Sequence, residues 1–297
     1  MKTKELSDYQ KAGEIAQKVV AYAKSIIKPG MPLLEIAQKI HAEIEKQGGQ
    51  PAFPVNLSID DIAAHYHPTL EDTAVTTGLL KVDIGIHING FIADTAFTID
   101  LTSDKRHKEL IEASEKALNN ALELLKQNPD STLNQIGQEI QTTIENQGFS
   151  PIINLSGHSL NNYEVHSGIT IPNYANGNNN PLEDGAYAIE PFATTGEGKI
   201  YEGQSSNIFQ VINPKNTRSA NARKIFDYVW QKYKLLPFSL REIQEKFKAG
   251  ARTGLRELEQ AGIIKNFPQL VEKSHQPVSQ AEHTIIKNNN EIIITSK

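Results

Sequence analysis

The chain has 297 residues, enough for one large domain or two ordinary ones. A net charge of −5 argues against a general polyanion binder, and the lack of cysteine excludes disulfides and thiolate metal sites. No run approaches the roughly 18 apolar residues of a membrane span, and MKTKELSDYQKAGE at the start has no apolar core for a secretory signal, so the cytoplasm is the expected compartment.

Taken in order, Ser7-Asp8-Tyr9-Gln10 reads as a capping box that opens a helix to about Ile27, where Pro29-Gly30 stops it. A second helix is expected over about Leu33 to Gln47, ended by Gly48-Gly49. The stretch PAFPVNLSIDDIAAHYHP is irregular and carries His65 and His67. After a hairpin, helices are expected from about Lys105 to Gln127 and from the capping box Thr132-Leu133-Asn134-Gln135 to Gln147-Gly148. An Asn-rich loop, Ala175 to Asp184, reads as mobile, and Gly185 to Ala193 reads as one strand with Glu190 among apolar neighbours. Residues Asn213 to Gln276 differ in character. Three short helix-like runs (Ala222 to Tyr233, Ser239 to Lys248, Thr253 to Ala261) precede a strand or wing over Gly262 to Val271. This pattern suggests a winged-helix-like insertion, but no helix has a clean basic face, so a structural or gating role is expected and no specific nucleic acid. A second hairpin is expected from Ala281 to Lys287 and Glu291 to Thr295.

The first hairpin organises the rest. In LLKVDIGIHINGFIADTAFTID (Leu79 to Asp100), two β-rich runs flank Asn89-Gly90, a pair that tolerates the positive φ of a two-residue turn. That turn sets Ile88 against Phe91, Gly85 against Asp94 and Asp83 against Ala96. Asp83 and Asp94 are then diagonal neighbours on one face, with Gly85 leaving open space between them. Two carboxylates inside a sheet need a cation or protons. An edge hairpin with both aspartates solvated is the bland alternative, disfavoured by their apolar and small neighbours.

The chain also repeats itself. Leu33 to Gly49 aligns without a gap on Leu133 to Phe149, with eight identities: Leu33/Leu133, Ile36/Ile136, Gln38/Gln138, Ile40/Ile140, Ile44/Ile144, Glu45/Glu145, Gln47/Gln147 and Gly48/Gly148. Asn56-Leu57-Ser58 then matches Asn154-Leu155-Ser156, and His65 and His158 follow. Matches at polar positions go beyond a generic amphipathic pattern. Two related halves, about 1–104 and 105–297, are therefore expected to form an α/β (α+β) fold with one antiparallel sheet and its helices on one side.

Five residues stand out as candidate metal ligands: Asp83, Asp94, His158, Glu190 and Glu282. Carboxylate and imidazole without thiolate suit manganese, iron, cobalt or zinc, and the carboxylate majority suits two divalent ions about 3.5–4 Å apart. Each residue also has a plain reading, as a paired glutamate or a satisfied core histidine.

The motifs themselves carry a family resemblance. PAFPVNLS (Pro51 to Ser58), AAHY (Ala63 to Tyr66), KVDIGIHINGFIADTA (Lys81 to Ala96), NLSGH (Asn154 to His158), HSGITIPN (His166 to Asn173), AIEPFAT (Ala188 to Thr194) and AEHTII (Ala281 to Ile286) together resemble the type 2 methionine aminopeptidases in their short archaeal form. One departure is Leu79 after Gly78, where the family usually has an acid.

The resemblance implies a duplicated pita-bread fold, one catalytic domain over residues 1–297, and the 213–276 insertion that separates type 2 from type 1. It implies that Asp83, Asp94, His158, Glu190 and Glu282 hold two divalent ions (Co, Mn, Fe or Zn), with Asp94 and Glu282 bridging. It assigns His65 and His166 to substrate contact, Glu190 to proton transfer, and Phe53 to the methionine pocket, with plain core packing as the alternative for Phe53. The implied activity is removal of the N-terminal methionine from nascent polypeptides, favoured by a small, uncharged second residue. The implied state is monomeric, with association with the ribosome allowed. An Xaa-Pro peptidase on the same fold and a non-catalytic binding relative are the rivals. PAFPVNLS and the insertion count against the first, and the retained acids count against the second.

Overall fold

The computed structural model describes residues 2–297. Helix α1 (Thr3–Ile26) buries Tyr9, Ala12, Ile15, Ala16, Val19 and Ala23 at helical spacing, and α2 (Leu33–Lys46) buries Leu33, Ile36, Ile40 and Ile44. The start of α1 corrects the sequence reading. The box at Ser7 is not a cap, because the helix already begins at Thr3, where the Lys2 backbone N–H donates to Glu5 Oε2 at 3.0 Å. Helices α3 (Lys108–Gln127) and α4 (Leu133–Glu145) follow in the second half. Thr132 caps α4 as expected: its Oγ1 accepts from the Gln135 N–H, and Gln135 Oε1 accepts from the Thr132 N–H.

The hairpin strands Leu79–Ile88 and Phe91–Asp100 pair in the register that Asn89-Gly90 dictates, with Ile88 opposite Phe91, Gly85 opposite Asp94 and Asp83 opposite Ala96. They form one half of a nine-stranded antiparallel sheet. Phe91–Asp100 joins Glu282–Asn288 at the midline, which pairs with Gly185–Ile189, then Ser156–Leu160 and Thr170–Pro172. Asn56–Ile59 flanks the first half and sets Asn56 opposite Asp83.

Alternation gives this sheet two faces. Leu80, Val82, Ile84, Ile86, Ala93 and Phe97 pack on α1 and α2. Tyr187, Ile189, Ala281 and Ile285 pack on α3 and α4. The opposite face carries the acids.

The two halves share local details. The Leu33 N–H donates to Ala74 O, and the Leu133 N–H to Asn180 O, both at 3.0 Å. Gly48 and Gly148 each take a left-handed φ, +85° and +82°, just past α2 and α4. This is the conformation in which glycine stops a helix without steric cost. The Asn-rich loop expected to be mobile is tied down at the start of α4, since Asn178 O and Asn180 O accept from the Asn134 and Leu133 N–H groups.

Two further sheets complete the chain. Val278–Gln280, Phe192–Thr194 and Ser150–Pro151 form one, and Phe238–Ser239, Ile200–Val211, Ile264–Glu272 and Ile62–Ala64 form the other. The run read as a single strand from Gly185 to Ala193 is therefore broken. Gly185–Ile189 lies in the large sheet and Phe192–Thr194 in the small one, and Glu190-Pro191 forms the step between them. Pro191 lacks an N–H for a ladder, which favours the break there. Helices α5 (Ala220–Lys232), α6 (Leu240–Phe247) and α7 (Ala251–Gln260) fill residues 213–263 between the long strands Ile200–Val211 and Ile264–Glu272. Ile225, Val229, Ile243, Leu255 and Leu258 pack with Phe209 and Val211 to seat them on that ribbon. Among the described residues no helix is long and apolar enough to cross a membrane.

Candidate metal centre and substrate cavity

The acid-bearing face follows from strand register. Asp83 lies opposite Ala96, and Ala96 lies opposite Glu282 across the midline, so first-half and second-half acids share one row. Asp94 sits one step along, fixed by a reciprocal pair: its N–H donates to Thr284 Oγ1 at 2.7 Å, and that hydroxyl donates to Asp94 O at 2.8 Å. His158 pairs with Ala188, two residues before Glu190. Ligand atoms of Asp94, His158 and Glu282 lie within 4.8 Å of one another. His158 Nε2 lies 3.8 Å from both Asp94 Oδ2 and Glu190 Oε1. Asp83 and Glu190 show part of their surface to a cavity of about 340 Å³, whereas Asp94 and Glu282 are 2% and 1% exposed.

Electrostatics show what this cluster requires. Burial, then the neighbouring acids, push Asp94, Glu190 and Glu282 well above the usual carboxylate range, and burial lifts Asp83 to about 7. Burial lowers His158 to about 4, so its imidazole is neutral and able to ligate. Asp83 Oδ1, Asp94 Oδ1 and both Glu282 side-chain oxygens have no hydrogen-bond donor. Buried acceptors are almost always satisfied, so these oxygens call for cations. The residues fit divalent metal: oxygen-rich donors, one neutral imidazole, no thiolate.

Around the acids the cavity combines polar and apolar walls. His65 and His166 line it, His166 being exposed at the mouth with its ring centroid 4.2 Å from that of His158. His65 takes φ +65°, a left-handed conformation that is uncommon for a residue other than glycine. Its Nδ1 lies 3.1 Å from Pro268 O, so Nδ1 carries the proton and Nε2 the lone pair. The apolar wall is Phe53, Ala64, Val165, Ile208, Phe267 and Leu270.

Several features were outside the sequence reading. Gly85 does not leave open space, because the ring of Phe53 fills the position a Cβ would take there. Ile208, Phe267 and Leu270 come from the ribbon that carries the three-helix segment, and alternation alone does not say which cavity they face. Gln280, 1% exposed, stands near Asp83 with its own Nε2 unpartnered, and nothing in its flanking residues marked it. Two further histidines, His67 and His283, lie off the cavity. His67 Nδ1 bonds Val55 O at 2.7 Å, and His283 Nδ1 meets Ser296 Oγ at 3.1 Å.

Comparison with known proteins places this arrangement. The model of metallopeptidase family M24 matches residues 7–229. The methionine aminopeptidase of Methanocaldococcus jannaschii is 40% identical over 299 residues, covering 99% of this chain and 100% of the relative. Among solved structures, a thermophilic Arx1 superposes with a TM-score of 0.85 at 18% identity, covering 99% of this chain and 91% of its own. A methionine aminopeptidase from Thermotoga maritima superposes with a TM-score of 0.71 at 20% identity, over 100% of this chain and 98% of its own. These two share the fold. The chain is a metallopeptidase of family M24, with the pita-bread architecture of that family. Within the family it belongs to the methionine aminopeptidases.

Proposed function

We propose that this chain removes methionine from the free N-terminus of polypeptides, with Asp83, Asp94, His158, Glu190 and Glu282 holding two divalent ions. The observation that carries this reading is the set of buried, donorless carboxylate oxygens beside a cavity lined by His65 and His166. Bound divalent ions supply Lewis acidity and lower the pKa of water.

The protein's own groups do the rest. A free, deprotonated N-terminal amine would reach the metal-holding end of the cavity, which confines cutting to the first residue. Phe53 and Phe267 offer ring contacts to a thioether, and Ala64, Val165, Ile208 and Leu270 complete an apolar pocket for it. Neutral His65 presents the Nε2 lone pair and accepts from a substrate N–H. His166 donates to the scissile carbonyl oxygen as negative charge develops there. Glu190 takes the proton released by the attacking water and returns it to the leaving amine. Crowding past the first residue favours a small, uncharged second one.

Release of methionine from Met-Gly and Met-Ala peptides, set against cleavage of Xaa-Pro peptides, tests the reading. Rapid release from the former alone is expected. Preference for Xaa-Pro would assign the chain to the other peptidases of this fold.

A further inference from the structure

A second cavity, of about 520 Å³, continues outward from the first, and the two share His65, His166 and Phe267 as walls. The amine and first side chain occupy the inner cavity in the proposed reading, so the chain beyond the scissile bond leaves past the two histidines into the outer one. Lys265 and Gln210 line that outer cavity from directly paired positions of the long two-stranded ribbon, and Glu164 lines it from the loop before His166. Lys265 is exposed, and its ammonium lies over the Phe267 ring, 4.6 Å from the centroid. It pairs with no carboxylate among the described residues. Desolvation is the main reason that the imidazoles of His65 and His166 are neutral, and the nearby Lys265 charge adds a lesser push in the same direction. Among the described residues, Lys265 is therefore a cation without a carboxylate partner beside the exit from His65 and His166.

We infer that Lys265 is a specificity residue for the outgoing chain, favouring an acidic side chain over a basic one at the third residue of the substrate. The inference rests on the peptidase reading. An exposed charge pair is worth little, so the effect is graded selection and not an all-or-none filter. Charge on one wall acts mainly through encounter and orientation, and salt weakens it.

The test uses amide-capped peptides, Met-Ala-Asp-Ser and Met-Ala-Lys-Ser, so that no terminal carboxylate interferes. The readout is the ratio of their kcat/KM values in one enzyme preparation, which cancels any loss of folded protein. The metal-loaded wild type is expected to favour the aspartyl peptide by about fivefold at low salt, falling toward one at high salt. Lys265→Gln should bring the ratio near one, and Lys265→Glu should invert it. If methionine is released from neither peptide, the peptidase reading fails. If it is released from both with a wild-type ratio near one at low salt, this inference fails while that reading stands. A ratio moved by Glu164→Gln but not by Lys265→Glu also overturns the inference, by assigning the selection to the facing wall.

Discussion

The ring of Phe53 occupies the space that a Cβ on Gly85 would fill. One residue's missing side chain thus positions another's ring beside Asp94, the cross-strand partner of Gly85. Gly85→Ala must displace Phe53, and overpacking of this kind costs about 1–3 kcal/mol. The thermal midpoint is expected to fall, and KM for methionyl peptides to rise. Phe53→Ala/Gly85→Ala should cost less than the sum of the two single variants, because removing the ring also removes the clash that Gly85→Ala creates.

Glu190 stands at a break between two strands, 3.8 Å from His158, with part of its surface in the cavity. Glu190→Gln keeps the shape and removes the base proposed for proton transfer. Turnover on Met-Ala-Ser should fall by about 10³-fold or more, with the circular dichroism spectrum unchanged. Wild-type rates in this variant would remove Glu190 from proton transfer.

Asp83 has a folded-state pKa of about 7, raised by burial. A raised carboxyl pKa means that the folded state holds its proton more tightly than the unfolded one. Its contribution to stability is therefore fully present below about pH 4, the unfolded value, and is lost as pH rises toward 7. Stripped of metal, wild type should lose ground to Asp83→Asn between pH 5 and pH 8, by an amount on the order of 2 kcal/mol. Parallel melting curves across that range would contradict the burial argument. The buried neutral histidines titrate in the opposite sense, so the difference between the two proteins, not either curve alone, is the readout.

His65 and His166 contact the cavity from outside the acid cluster. His65→Ala and His166→Ala should each lower kcat by about 10²-fold while leaving the metal content of the protein unchanged. Loss of metal in either variant would move that histidine from substrate contact to metal retention.

Much of this was legible in the residues. Asn89-Gly90 fixes a two-residue turn, and the turn fixes which side chains face each other, so the placement of Asp83 beside Asp94 followed from counting. The match of Leu33–Gly49 with Leu133–Phe149 reflects shared contacts: each helix start donates to a returning loop, and each helix ends on a left-handed glycine. What was not legible depended on distant partners. Ser7 has the chemistry of a cap, but Glu5 reaches Lys2 first. Glu190 reads as mid-strand until Phe192–Thr194 is seen to pair with Val278–Gln280 in a different sheet. The space at Gly85 reads as empty because Phe53 is 32 residues away and reaches it from an irregular loop. Local propensity sets turns and caps; which side chain fills a gap is set by tertiary packing.

The central claim is that acids from both halves hold divalent metal where an N-terminal methionine is cut. Release of methionine from Met-Ala-Ser, followed before chelation, after it, and after return of manganese, cobalt, iron or zinc, addresses this most directly. Loss on chelation and recovery with at least one of the four is the predicted result. Undiminished release from protein shown by elemental analysis to be metal-free would contradict it.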